Sequence, residues 1–278
     1  MKYVDDLNLA EAISLPDKLV HVPESVRPMP DMLHARTGHI MPNQEENSRV
    51  LQELLKTKQY ADDNDMKINF KKTKAMIFNP CTSIDFQPEL VVDGHEIEVV
   101  EEMRVLGVIV TSDMKWAANT HHMVTRANKK LWVLRRLKKS GATEEDLVDI
   151  YCKQVRSLLE LAVPAWHGGL NNVDQLDIER VQKSACRIIL DSNYTSYRNS
   201  LNYLCLETLK VRRDKLCLKF AKKAEIHPKH RNWFKLNENT VNTRQNKSKY
   251  MEVSAKHDRF KTSPLSCLTN ILNNHYNK

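Results

Sequence analysis

Several common signatures are missing from these 278 residues, and each absence removes a class of protein. The six cysteines (Cys81, Cys152, Cys186, Cys205, Cys217 and Cys267) include no Cys-X-X-Cys pair. No secretory leader precedes them, so they read as reduced, mostly buried thiols of an intracellular protein rather than a disulfide framework. No run approaches the roughly 20 apolar residues that a bilayer span requires. The expectation is therefore a protein of nucleus or cytoplasm with no membrane partner. The histidines, among them His34, His39, His95, His121, His122 and His167, fall into no zinc-binding spacing, and no internal repeat is present. Cys205 and Cys217 have no accompanying His/Asp constellation and read as core thiols rather than nucleophiles.

What is present is an unequal distribution of charge. The net charge of +8 divides into 13 Lys+Arg against 20 Asp+Glu over residues 1–120, and 30 against 15 over residues 121–278. An acidic first part and a strongly basic second part point to two functional regions, the second suited to a polyanion. The competing interpretation is a merely solvated Lys/Arg-rich surface.

The apolar pattern divides the chain in a similar place. Pro16, Pro23, Pro28, Pro30 and Pro42 remove backbone donors and make residues 16–42 a long loop. Val50, Leu51, Leu54 and Leu55 predict a helix over about 47–65, capped by Asn47 or Ser48. Strands are predicted at Lys74–Asn79, at Leu90–Val100 as a hairpin about Asp93-Gly94, and at Arg104–Val110 with Gly107 permitting a bulge. After Trp116 the period becomes helical. Met123, Ala127, Leu131 and Leu134 form one buried stripe, ended by Ser140-Gly141. Thr143 caps a second helix with the stripe Leu147, Ile150 or Tyr151, Val155, Leu158 and Ala162, stopped by Pro164. A third, over 173–190, is expected to bury Leu176, Val181, Ala185, Ile188 and Ile189. A fourth, over 206–226, is expected to bury Leu206, Leu209, Leu216 and Phe220 while displaying Lys210, Arg212, Arg213, Lys219, Lys222 and Lys223. Trp132, Tyr151 and Trp166 stand at core spacing, so packing is favoured over base stacking for all three. From Asn237 onward the composition predicts a loose basic extension.

The chemistry-bearing motif is Tyr3-Val4-Asp5-Asp6. Adjacent carboxylates on a tight turn suit magnesium, which takes one or two oxygen ligands from protein and the rest from phosphates and water. A pair of such ions serves phosphoryl transfer by activating the attacking oxygen and steadying the leaving group. An Asp-Asp pair alone is common, and Asp62-Asp63 reads as a solvated helix face. The downstream segments are more specific in combination: Asn69-Phe-Lys-Lys-Thr-Lys74, Val105-Leu-Gly-Val108, Leu131-Trp-Val-Leu-Arg-Arg-Leu-Lys138, Val155–Trp166 and Glu179–Ile189.

That ordered series, over residues 1 to about 225, resembles the reverse transcriptases of non-LTR (LINE-type, jockey-like) retrotransposons. The resemblance implies an RNA-directed DNA polymerase with Mg²⁺ as cofactor and an RNA/DNA template–primer as partner. It makes Asp5 and Asp6 the metal-binding, catalytic aspartates, and Lys72 or Lys74 the lysine that contacts the incoming nucleotide or assists pyrophosphate departure. Leu106-Gly107 resembles the primer grip. The helices beyond resemble the thumb and connecting region, with Arg126, Lys129, Lys130, Arg135, Arg136, Lys183, Arg187, Arg212 and Arg213 as candidates for gripping nucleic acid. The implied fold class is α+β: an incomplete reverse-transcriptase palm with a small antiparallel sheet and helix over 1–112, including the insert 16–42. A helical thumb-like or connecting bundle over 113–230 comes next, then a basic, disordered tail over 231–278.

The sequence departs from the family at its beginning. No upstream strand with a third carboxylate, no fingers, no endonuclease region and no ribonuclease H signature is read, so the chain is expected to be a truncated polymerase unable to polymerise alone. Two other functions compete: a non-specific nucleic-acid-binding module that uses the basic helices, and an inactive structural or interaction relic.

Overall fold

The computed structural model describes residues 2–3, 49–78, 91–92, 94–237, 248–252 and 258–277. The chain divides into two compact units, 1–106 and 107–278. Among the described residues the first mixes one helix with very short strands and the second is almost wholly helical, so the class is α+β with helix predominating.

In the first unit, β1 (Lys2–Tyr3) is followed by α1 (Arg49–Asp63), the helix predicted from the leucine spacing. The proposed cap at Asn47 or Ser48 lies outside the described residues. β2 (Met66–Lys67) pairs in parallel with β1, Lys2 opposite Met66 and Tyr3 opposite Lys67. β3 (Lys74–Ala75) comes next, then β4 (Val91–Val92), β5 (His95–Glu96), β6 (Glu98–Val99) and β7 (Glu102–Val105). β4 and β5 are antiparallel with Val92 opposite His95, and Gly94 in the connection has φ +73°, as the predicted hairpin demands. Asp93 lies outside the described residues. β3 and β6 pair in parallel. The expected small antiparallel sheet is thus corrected for the described residues, where the strands form separate two-stranded pairings and two of these are parallel. A hairpin needs a short connection, whereas β1 to β2 and β3 to β6 are joined by long ones, the first containing α1.

The second unit opens with β8 (Val108–Thr111), whose Ile109 N–H donates to the Asn119 side-chain oxygen at 3.1 Å. Arg104–Val110 is therefore not one strand. It is broken at Leu106-Gly107, whose φ values of +48° and +90° make a turn. α2 (Ala117–Lys139) buries Met123, Ala127, Leu131 and Leu134, the predicted stripe, and stops at Ser140 with Gly141 in the left-handed region.

α3 (Glu144–Ile150) begins at Thr143, whose hydroxyl accepts from the Asp146 N–H, with Glu144, Glu145 and Asp146 at the positive end of the helix dipole. The predicted uniform helix then changes character. Tyr151–Arg156 forms a π-helical turn, α4 (Ser157–Leu159) resumes, and the chain breaks at Ala162, φ +50°, before α5 (Val163–Trp166). Hydrogen bonds from i to i+5 widen the turn. The buried stripe therefore keeps a spacing of four, Leu147, Tyr151, Val155, Leu159, and it is Leu159 rather than Leu158 that is buried. Ala162, expected in that stripe, is exposed.

α6 (Asn172–Leu190), capped by the Asn171 side chain, packs along α2. It buries Ile178, Val181, Ala185 and Ile189, whereas Leu176 is exposed, contrary to expectation. α7 (Tyr197–Tyr203) leads to α8 (Leu209–Ile226), which packs on α5 and α6 and buries Leu209, Arg213, Cys217, Ala221 and Ala224. Phe220, expected inside, lies on the outer side.

α9 (Asp258–Lys261) and α10 (Pro264–Tyr276) complete the described elements. The described part of the predicted loose tail is therefore corrected. α10 starts from Ser263-Pro264 and buries Leu268 and Leu272 against α5 and α8, a short apolar repeat masked by the Asn-rich composition around it. Its approach is close: a Cβ on Gly168 would lie 2.7 Å from the Cys267 Cβ. A second tie is the Glu225 carboxylate on α8, which accepts from Lys249 Nζ at 2.8 Å, from the Tyr250 hydroxyl and from the Tyr276 hydroxyl at 2.8 Å.

A buried polar chain crosses the core. The Tyr151 hydroxyl donates to Gln182 Oε1 at 2.6 Å, and Gln182 Nε2 donates to the Tyr197 hydroxyl and the Glu207 carbonyl, each at 2.9 Å. Tyr197 in turn donates to the Glu179 carboxylate, which also accepts the Leu209 N–H at 3.2 Å. Every link offsets the cost of burying a polar atom and joins α6 to its neighbours in one register.

Candidate nucleic-acid interface

The exposed side of α2 carries the strongest concentration of one charge sign. The helix contains seven Lys and Arg residues and no acid. Because Met123, Ala127, Leu131 and Leu134 turn inward, Lys129, Trp132, Arg136 and Lys139 form a stripe on the outer side at spacings of three and four. Arg126, Lys130 and Arg135 are exposed on its flanks.

Trp132, expected in the core, is 60% exposed, with the Arg136 guanidinium 5.5 Å from its ring centroid. It comes one residue after the buried Leu131, so it falls about 100° beyond the stripe. Trp166 and Tyr151 are buried as expected, the Trp166 indole donating to the Leu161 carbonyl at 2.8 Å.

Lys138 is the exception among the basic residues of α2. Its ammonium donates to the Ile189 carbonyl at 2.7 Å, at the negative end of α6. The bond puts the C-terminal ends of α2 and α6 side by side. Two residues earlier on α6, exposed Arg187 lies 5.3 Å from the Tyr194 ring centroid, with half-buried Lys183 a turn further back.

Two candidates belong to the interior instead. Arg212 makes a forked ion pair with Glu160, its Nη2 3.0 Å from Oε2, which raises its pKa further. Arg213 is 1% exposed and donates from Nε to His167 Nδ1 at 3.3 Å. Burial pushes its pKa down. That bond fixes the His167 tautomer, since Nδ1 must accept while Nε2 donates to Asp214 at 2.8 Å. Neither arginine is available to a phosphate without breaking these contacts, a correction to their expected display.

Of the palm-like candidates, Asp5 and Asp6 lie outside the described residues. Lys72 is exposed on the turn where Asn69 accepts the Lys72 and Thr73 N–H groups at 3.0 and 3.1 Å. Lys74 sits in β3 opposite Glu98 and is ion-paired with it. Leu106 is 69% exposed at a turn whose left-handed conformation costs a leucine about 1–2 kcal/mol.

Nucleophilic chemistry has little support. Burial raises the Cys186 and Cys267 thiols to about 11 and Cys217 to about 12, so they stay protonated. Cys205, expected in the core, is exposed. Among the described residues no group of three or more His, Cys, Asp or Glu is arranged to hold a metal ion, and no helix is long and apolar enough to cross a membrane. No protein-family model, curated protein or solved structure matches the chain.

Proposed function

We propose that this chain is part of a non-LTR retrotransposon reverse transcriptase, and that its helical unit binds the template–primer duplex through phosphates without sequence choice. The observation that carries the binding role is α2, acid-free, with Lys129, Arg135, Arg136 and Lys139 exposed around Trp132. Lys/Arg arrays of this kind gain affinity by releasing counterions from nucleic acid, which makes salt the natural probe. The ancestry rests on the ordered motifs from Tyr3-Val4-Asp5-Asp6 to Glu179–Ile189. In that reading Asp5 and Asp6 hold magnesium, and Leu106-Gly107 supports the primer end. Lys72 is the better candidate for the nucleotide phosphates, because Lys74 already neutralises Glu98.

Binding of a short RNA/DNA duplex should weaken linearly in log K against log salt. Arg135→Ala and Arg136→Ala should each reduce the slope by about 1, whereas Arg212→Ala should leave the slope unchanged. Absence of binding at low salt removes the reading. For the polymerase half, template-directed incorporation that survives Asp5→Ala is incompatible with a metal role for the doublet.

A further inference from the structure

A second aromatic feature stands at the other end of the helical sequence. α8 stops at Ile226, itself 81% exposed, and the chain turns tightly: the His230 and Arg231 N–H groups both donate to the His227 carbonyl at 2.9 Å. A 3₁₀ turn, Arg231–Trp233, comes next. Residues three apart eclipse one another in such geometry, and here they are all aromatic. His227 and His230 stack with centroids 4.7 Å apart and planes 26° from parallel. His230 and Trp233 continue the column at 4.4 Å and 45°. Exposed Lys229 and Arg231 lie within the column's own sequence, Lys235 just beyond it, and no acid occurs from 226 to 237. The nearest upstream carboxylate, Glu225, is occupied by Lys249, Tyr250 and Tyr276.

An exposed ring column costs apolar hydration unless something covers it. Trp233 remains 42% exposed while its neighbour Phe234 is buried, so the core already has its aromatic at this point and the column is additional to it. Stacked rings bordered by cations complement a ligand that alternates flat faces with negative charges. A duplex hides its base faces, so the match is to unpaired nucleotides.

We propose that the His227–His230–Trp233 column is a stacking platform for the bases of single-stranded nucleic acid, with Lys229 and Arg231 against the adjoining phosphates. The proposal deepens the nucleic-acid-binding reading, and its test separates the two. The full chain is titrated with three probes at one salt concentration: a blunt duplex, the same duplex with a single-stranded overhang, and the overhang oligonucleotide alone.

Base–aromatic stacking of about 1–3 kcal/mol per base corresponds to a loss of roughly 5- to 150-fold. Trp233→Ala should show a loss of that size on the two unpaired probes and none on the blunt duplex. Trp233→Phe, which keeps a ring, should retain most of the affinity. Equal losses on all three probes, or none on the unpaired ones, overturn the platform. Binding only to unpaired probes, lost in Trp233→Ala, overturns the duplex reading and leaves the platform standing. A wild-type chain that binds none of the three overturns both.

Discussion

The two units of this chain solve the problem of burial differently. In residues 1–106 the described apolar side chains that are buried are Ala61 on α1, Val92 on β4 and Ile97 between β5 and β6, and the described strands run for two to four residues and pair two at a time. In residues 107–278 one continuous core runs from Val108 through Trp116 and Trp166 to Leu272. Charge divides in the same way, with 12 Lys+Arg against 19 Asp+Glu in the first unit and 31 against 16 in the second. Cooperative stability needs apolar area removed from water in one contiguous body, so the helical unit should supply the main unfolding transition. The basic surface therefore rests on the better-supported scaffold.

The sharpest way to break this contrast is to cut each core. Trp166→Ala removes a fully buried indole and its hydrogen bond, and should cost about 3–5 kcal/mol in denaturant unfolding. Ile97→Ala in the first unit should leave that main transition in place. A comparable loss from Ile97→Ala would mean that the two units unfold as one.

A second test is acid. Burial, with Arg213 and Lys210 nearby, holds His167 below its ordinary value of 6.5, although Asp214 works in the opposite direction. The unfolded chain then takes up a proton at a pH where the folded one does not. His167 therefore contributes full stability above about 6.5, and that contribution declines as pH falls toward the folded value. His167→Gln should flatten this part of the stability–pH profile, measured by thermal melting, and an unchanged slope would show that other groups carry it. The smallest expected effect belongs to the first unit. Glu98→Gln loosens Lys74 on a partly exposed strand pair and should cost under about 1 kcal/mol.

How much could be read in advance depended on how local the physics was. The α2 stripe, the Thr143 cap and the Ser140-Gly141 stop were legible because period and capping are properties of neighbouring residues. Arg212 and Arg213 were not, since a basic residue gives no sign that its partner is Glu160, 52 positions upstream, or His167 on another element. Leu176 failed for a related reason: it fits an apolar helix, but no described element covers its side. The basic face of α2 was legible from the absence of acids, and its tryptophan was misjudged by a single residue of phase. The His227–His230–Trp233 column had a readable signal, aromatic residues at a spacing of three, without the periodic setting that would have marked it as structural.

The widened turn at Tyr151–Arg156 has a genetic consequence. It behaves as a one-residue insertion that the helix has absorbed, and the downstream buried positions are in phase only while the extra residue is there. Deleting one residue within the turn would let ordinary helix close up and rotate the segment beyond it by about 100°. Leu159 would swing outward, and Glu160 would be displaced from Arg212. Length at this point is therefore constrained along with the buried side chains Tyr151 and Val155.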